Sequence, residues 1–263
     1  MLKERNLIAY IRRLADASTA RGVALGVGDD CAILRPTAGS ELLVTTDLCL
    51  EDVHFRRDWH PAASVGHRCL TRGLSDIAAM GGTPLACFLS LGLPQDLPQK
   101  WVNQFLKSLL ALAQRFHVQL AGGDISSAPK ITADIVVIGQ VPAGKAILRS
   151  GAHPGDRIYV TGSLGGSAAV LKQLYAGKPV KSIKSNPHFY PEPRLAVGQS
   201  LRKRATSMID LSDGLSVDLA HICEESRVAA LINASQIPIA KGADLELALH
   251  GGEDYELLFT ARK

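Results

Sequence analysis

Gly26-Val27-Gly28-Asp29-Asp30, followed by the apolar Cys31-Ala32-Ile33-Leu34, is the stretch from which the rest of the chain can be read. Two glycines let a backbone turn tightly and approach a ligand closely. Two adjacent carboxylates follow at once, and residues 31–34 read as a strand. Acidic side chains on a glycine turn repel a bare phosphate. A Mg2+ ion between them reverses the sign, because Mg2+ is held by one or two carboxylates together with substrate phosphates. The same residues also make an ordinary turn, since Asp tolerates a left-handed backbone and hydrogen-bonds its own main chain. Recurrence of Asp at strand exits further along decides between the two.

It does recur. Residues 42–48, Leu-Leu-Val-Thr-Thr-Asp-Leu, read as a strand whose exit carries Thr45-Thr46-Asp47. Two hydroxyls and a carboxylate are all oxygen ligands for a hard cation, and also a common capping cluster. Residues 61–81 read as a helix with Pro61 near its first turn and Gly81-Gly82 as its stop. Its second half is rich in small residues, which permit close packing. Asp76 there is the only charge between Arg72 and Asp96. Residues 85–93 look like a buried strand and 98–116 a long helix. Residues 118–121 form a short strand running into Gly122-Gly123-Asp124, a second glycine–acid exit, and 131–141 form a further strand. Upstream, residues 2–14 have the apolar spacing of an amphipathic helix. Strands and helices therefore alternate through most of residues 42–141, which predicts an α/β fold.

A junction is expected near residues 142–154, dividing the chain into domains 1–145 and 146–263. Residues 139–146 nearly match the Walker A pattern, but Ala146 stands where a hydroxyl must hold Mg2+ and no helical pattern follows. Arg149, at the junction, could reach a phosphate. The second half restarts with a strand at 157–161. A glycine turn, Gly162-Ser163-Leu164-Gly165-Gly166-Ser167, then leads into a helix at 168–175; tight packing explains this turn better than phosphate binding, since its spacing is not that of a dinucleotide fold. A loop with four prolines (179, 187, 191, 193) leads to a helix ending about Arg204. Met208-Ile209-Asp210-Leu211-Ser212-Asp213-Gly214 is the third acidic strand exit and runs into a helix at 215–226, for which Asp213 could be simply the N-cap. Residues 228–232 read as a strand. Gly251-Gly252-Glu253-Asp254-Tyr255-Glu256-Leu257 is a fourth glycine–acid junction and leads into a strand, after which the chain ends at Lys263 with no closing helix.

Composition narrows the function. The 263 residues carry a net charge of only +4 with scattered Lys and Arg, which does not point to nucleic acid. The five cysteines form no Cys-x-x-Cys pair, which predicts reduced thiols and a cytoplasmic protein. His54 has no partner at zinc-ligand spacing. No targeting segment and no apolar run long enough for a membrane span is visible.

Acids at four glycine junctions across two halves suggest Mg2+ ions bridging a polyphosphate without a Lys-bearing phosphate loop. The segments Gly26 to Ala32, Thr45-Thr46-Asp47, Leu74-Ser75-Asp76-Ile77-Ala78-Ala79-Met80-Gly81, Gly122-Gly123-Asp124, Ile209 to Leu215 and Gly251 to Leu257 resemble, in order, those of thiamine-monophosphate kinases. The resemblance covers essentially the whole chain. The Leu74–Gly81 and Asp210–Leu215 segments recur in the wider superfamily of aminoimidazole ribonucleotide synthetase-like proteins, whereas Gly251–Leu257 is more family-specific. The resemblance implies a two-domain α/β fold with mixed sheets, an N-terminal sheet that pairs with a second subunit in a homodimer, and a C-terminal α/β domain. It implies that Asp30, Thr45, Thr46, Asp47, Asp76, Asp124, Asp210 and Asp213 bind several Mg2+ ions. Gly123, Asp124, Arg149 and Ser212 would contact ATP, and His54 and Glu253 thiamine monophosphate. A monovalent cation is a further possibility. The family is longer at its C-terminus, where a substrate-stacking aromatic is expected, so the C-terminal domain is expected to be incomplete here.

The implied reaction is ATP-dependent phosphorylation of thiamine monophosphate to thiamine diphosphate by in-line transfer. Two alternatives stay open: another ATP-using enzyme of the superfamily, or a nucleotide- and cation-binding assembly protein without turnover. No Cys precedes the Gly26 turn to act as the nucleophile of a selenophosphate synthetase, and the Gly251–Leu257 segment speaks against a purine-pathway synthetase.

Overall fold

The computed structural model describes residues 4–15, 21–27 and 30–263; Gly28 and Asp29 of the opening turn lie outside them. The chain forms two compact units, Met1–Ile77 with Thr83–Ala143, and Ala78–Gly82 with Gly144–Lys263.

The first unit begins with helix α1 (Glu4–Ala15) and a small hairpin, β1 (Val23–Leu25) against β2 (Ile33–Leu34). The strand expected at 31–34 is only these last two residues. The main sheet has the order β3-β6-β4-β5, from β3 (Ser40–Leu50), β4 (Thr83–Leu93), β5 (Gln119–Ser127) and β6 (Thr132–Pro142). Only β4 and β5 are parallel; β6 runs antiparallel to both of its neighbours. The sheet is therefore mixed, and the single parallel pair uses helix α3 (Gln99–Arg115) as its crossover.

Alternation decides the faces. On β6, Ala133, Ile135, Val137 and Val141 are buried while Thr132, Asp134, Val136, Ile138 and Gln140 are only half-buried. Helix α2 (Ala62–Ala79) lies on the buried face. Its glycines explain how closely: a Cβ on Gly73 would meet Val137 Cγ2 at 2.5 Å, and one on Gly66 would overlap the Phe105 carbonyl of α3. The opposite face of β3 leaves Leu42, Val44 and Leu48 47, 66 and 49% exposed. The β1–β2 hairpin packs Val23, Ala32 and Leu34 on Leu85, Ala86 and Ala121.

The second unit holds a three-stranded antiparallel sheet, β7-β9-β8, from β7 (Arg157–Val160), β8 (Ala205–Asp210) and β9 (Leu257–Ala261). Helices α4 (Gly166–Tyr175), α5 (Leu195–Leu201), α6 (Leu215–Ser226) and α7 (Leu245–His250) complete it. Its core joins Leu164, Ile209, Leu211, Leu215, Leu219, Ile222 and Leu258. Residues 228–232 are not a strand: they pair with no neighbour, and Leu231 is 95% exposed. The β-branched and aliphatic run carries strand propensity, but no sheet edge receives it. Among the described residues no helix is long and apolar enough to cross a membrane.

Candidate active site

In the first unit the acids sit on regular elements. Asp47 is not at a strand exit, because β3 stays paired with β6 from Ser40 to Leu50. Thr45 and Asp47 share the face covered by α2, while Thr46 points to the other face and donates to Asp134 Oδ1 at 2.9 Å. The close approach at Gly73 brings α2 over this point, and one turn later Asp76 Oδ2 accepts a hydrogen bond from Thr45 Oγ1. Arg72 of the same helix lies beside Asp47, Nε to Oδ1 3.6 Å. Thr45, Asp47 and Asp76 are thus brought together, with a cation that motif reading missed, and the Thr46 hydroxyl is not among them.

Asp124 is also inside a strand rather than at its end, opposite Ser90 of β4. It is exposed, and its Oδ1 accepts the Ile125 N–H at 2.8 Å. Gly123 precedes it at φ +149, where a side chain would overlap the backbone of Leu89. Gly26 lies against the same strand, since a Cβ there would meet Gln119 Nε2 at 2.7 Å; Asp30 is exposed. His54 closes a tight turn after β3, with Nδ1 accepting the Leu50 N–H at 3.0 Å. Neutral His54 then carries its proton on Nε2 and can donate from there.

In the second unit the candidate residues lie on irregular backbone. Asp210 ends β8 and is buried. Asp213 is not the N-cap of α6: that position is Gly214, at φ 111. Asp218, inside the helix, turns its carboxylate back and accepts the N–H groups of Asp213 (3.1 Å) and Gly214 (3.0 Å). Burial pushes the Asp218 carboxyl above the usual carboxylate range, against those two N–H groups. Asp213, Asp218 and His221 each bring a ligand atom within 4.8 Å of the others.

The segment 251–256 runs along this turn. Glu253 N–H donates to Ser212 O (2.8 Å), Tyr255 N–H to Leu211 O (2.9 Å) and Leu211 N–H to Glu256 O (2.8 Å). A Cβ on Gly252 would overlap the Ser212 carbonyl, which is why glycine stands there. Ser212 and Glu253, from two separate glycine–acid segments, are therefore joined through their backbones. Asp254 accepts the N–H groups of Gly165 (2.6 Å) and Ser167 (3.0 Å), so the glycine turn before α4 is filled by a protein carboxylate. Arg149 lies elsewhere in the unit: its carbonyl accepts from Ser226 at the far end of α6 (2.8 Å). α6 spans 12 residues, so this end is about 18 Å from its start beside Ser212.

The donor set suits a hard cation. Hydroxyl and carboxylate oxygens meet in the first unit, and carboxylates dominate the group at the start of α6. The buried thiols Cys49, Cys69 and Cys87 form no disulfide, and burial pushes Cys87 up to about 12, so it stays protonated near neutrality.

The fold and these motifs define a two-domain AIR synthase-like architecture. The family model for the N-terminal domain of AIR synthase related proteins matches residues 28–141, and that for the C-terminal domain matches residues 153–262. The thiamine-monophosphate kinase of Escherichia coli strain K12 is 41% identical over 98% of this chain and 82% of that protein. The crystal structure of thiamine-monophosphate kinase from Stenotrophomonas maltophilia superposes with a TM-score of 0.88 at 36% identity, covering 99% of this chain and 86% of that one. AaThiL in complex with AMPPCP and TMP gives a TM-score of 0.81 at 31% identity, covering 99% and 85%. The chain belongs to the thiamine-monophosphate kinase family.

Proposed function

We propose that this protein transfers the γ-phosphoryl group of ATP to thiamine monophosphate, giving thiamine diphosphate and ADP. The observation that carries this reading is the backbone pairing of residues 251–256 with the Leu211–Gly214 turn, in a chain of this family. A related structure that holds AMPPCP and TMP together supports it.

A phosphate-monoester oxygen of thiamine monophosphate attacks the γ-phosphorus in line, and the bond to the β-bridging oxygen breaks, with its electron pair leaving on ADP. The second ionisation of a phosphate monoester falls near about 6, so the attacking oxygen is already anionic and no strong base is needed. Mg2+, when bound, neutralises the phosphate charge. Several such ions would be held, by Asp30, Thr45, Asp47, Asp76 and Asp124 in the first unit and by Asp210 and Asp213 in the second; the hydroxyl of Thr46 is engaged by Asp134. Gly123, Asp124, Arg149 and Ser212 would contact ATP. His54 would offer Nε2–H to the substrate, and Glu253 would face its cationic thiazolium. The catalytic gain comes from positioning and charge neutralisation. Residues 1–145 would carry most of the metal and nucleotide contacts and the contact with a second copy, through the exposed Leu42, Val44 and Leu48 of β3. Sedimentation of Val44→Asp should then give a monomer from a dimeric parent; a monomeric parent would refute the dimer.

The test is incubation with ATP, Mg2+ and thiamine monophosphate, with both products assayed. Thiamine diphosphate and ADP should form one for one. Nucleotide binding without turnover, or ADP without thiamine diphosphate, would reject the reading.

A further inference from the structure

Glu253 and Tyr255 both hold left-handed backbone, at φ 64 and 51, although neither is glycine. Such backbone is strained for a residue with a side chain and persists only where its surroundings hold it. The surroundings are specific. Asp254, between them, is bound by the N–H groups of Gly165 and Ser167. Glu256, just beyond, is nearly buried, with its side chain 10% exposed. It is held by Arg194 on both oxygens, Nε to Oε2 at 2.8 Å and Nη2 to Oε1, and by the Thr161 hydroxyl. Gly162 leaves the space, since a Cβ there would overlap the Glu256 carboxylate. Arg194 follows Pro191 and Pro193 and is the N-cap of α5, where its carbonyl accepts the Gly198 N–H at 2.9 Å.

We propose that Arg194 is a positioning residue for Glu253: by gripping Glu256 with a two-pronged ion pair it holds the strained 253–255 backbone in place and so sets recognition of the substrate's cationic ring. The inference deepens the function proposed above and rests on its assignment of Glu253. In this proposal Arg194 acts through Glu256 and not by touching either ligand. A planar guanidinium can grip a carboxylate at two points, which an ammonium cannot.

The test is a mutant cycle on thiamine monophosphate affinity, by calorimetry of the whole protein with Mg2+ and a non-hydrolysable ATP analogue present. Arg194→Met is paired with Glu256→Gln, so that no buried charge is left alone. This pair should weaken thiamine monophosphate binding about tenfold, the size expected for residues coupled in one network, and leave ATP-analogue affinity within about twofold. Added to Glu253→Gln it should bring no further loss, because both act through one contact. Should the pair fail to fold, Arg194→Lys, which keeps the charge and loses the fork, takes its place and should weaken the same ligand about threefold. Losses that add to that of Glu253→Gln, or fall equally on both ligands, overturn the proposal while leaving the Glu253 assignment standing. An unchanged affinity in Glu253→Gln itself overturns both.

Discussion

The two units present acids by different means. In the first, Thr45, Asp47 and Asp76 project from a paired strand and a helix that crosses it at Gly73. In the second, Asp213 and Glu253 sit on two irregular ribbons that hydrogen-bond to one another and are pinned from behind by Asp218, Asp254 and the Arg194–Glu256 pair. Regular elements fix side chains through alternation and packing. Irregular backbone must find other partners for the N–H groups that no ladder pairs, and here Asp218 and Asp254 take two each while main-chain carbonyls take those of Glu253 and Tyr255. Substitution of an acid in the first unit should therefore remove chemistry and spare the fold, whereas changes to the ribbons should touch fold and substrate recognition together.

The largest expected effect tests the first half of that contrast. Asp47→Asn keeps the shape and one carbonyl oxygen but loses the charge. Turnover should fall by about 3–4 kcal/mol of barrier, roughly a hundred- to thousand-fold by analogy with loss of one preorganised electrostatic donor, at an unchanged melting temperature. Near-normal turnover across a Mg2+ series would remove Asp47 from the site.

A pair of glycine substitutions sharpens the contrast. Gly73→Ala would push a Cβ onto Val137, and Gly252→Ala would push one onto the Ser212 carbonyl. Each should cost about 2 kcal/mol in denaturant unfolding, the scale of an overpacked contact. Only Gly252→Ala should also raise the KM for thiamine monophosphate; an equal rise in both would erase the distinction.

Glu253→Gln should weaken thiamine monophosphate binding about tenfold, or 1.4 kcal/mol, with little change for ATP. Equal losses in calorimetric titrations of the two ligands would reject a role in substrate recognition.

The smallest effect is structural. Burial works against ionisation of Asp156, but the Thr206 hydroxyl (2.6 Å) and His153 N–H (2.9 Å) outweigh it and hold its carboxyl below the usual range. A depressed carboxyl stabilises the fold above its unfolded pKa and loses that contribution as pH falls through the folded value. Asp156→Asn should thus cost about 1 kcal/mol at neutral pH, and the difference should start to shrink as pH falls through the unfolded value near about 4 and vanish only below the depressed folded value. A difference independent of pH would show that the charge is not what matters.

The sequence was most readable where structure is periodic. Residues 215–226 form the expected helix to the residue, and the helices at 62–79 and 99–115 lie within two residues of their expected ends. Recurrence of Asp beside glycine singled out segments of which the fold brings Thr45, Asp47 and Asp76 together, although Asp47 and Asp124 proved to lie inside strands, because pairing with β6 and β4 continues past them. Period-two alternation also shows that Thr45 and Thr46 point to opposite faces, a consequence that grouping them as one ligand cluster passed over. Asp218 and Arg194 were not legible: an acid four residues past Gly214 and an arginine after Pro-x-Pro carry no motif, and their roles depend on contacts from residues 5 and 62 positions away. The run at 228–232 misled because propensity reports what a segment can do, not whether an edge is open to it.

The central claim is one direct transfer from ATP to thiamine monophosphate, and the stereochemistry at phosphorus tests it most directly. With ATP made chiral at its γ-phosphorus by isotopic substitution, the label should appear in thiamine diphosphate with inverted configuration. Retention would demand a phosphorylated enzyme intermediate, and label found only in inorganic phosphate would show that the acceptor is water; either result contradicts the account.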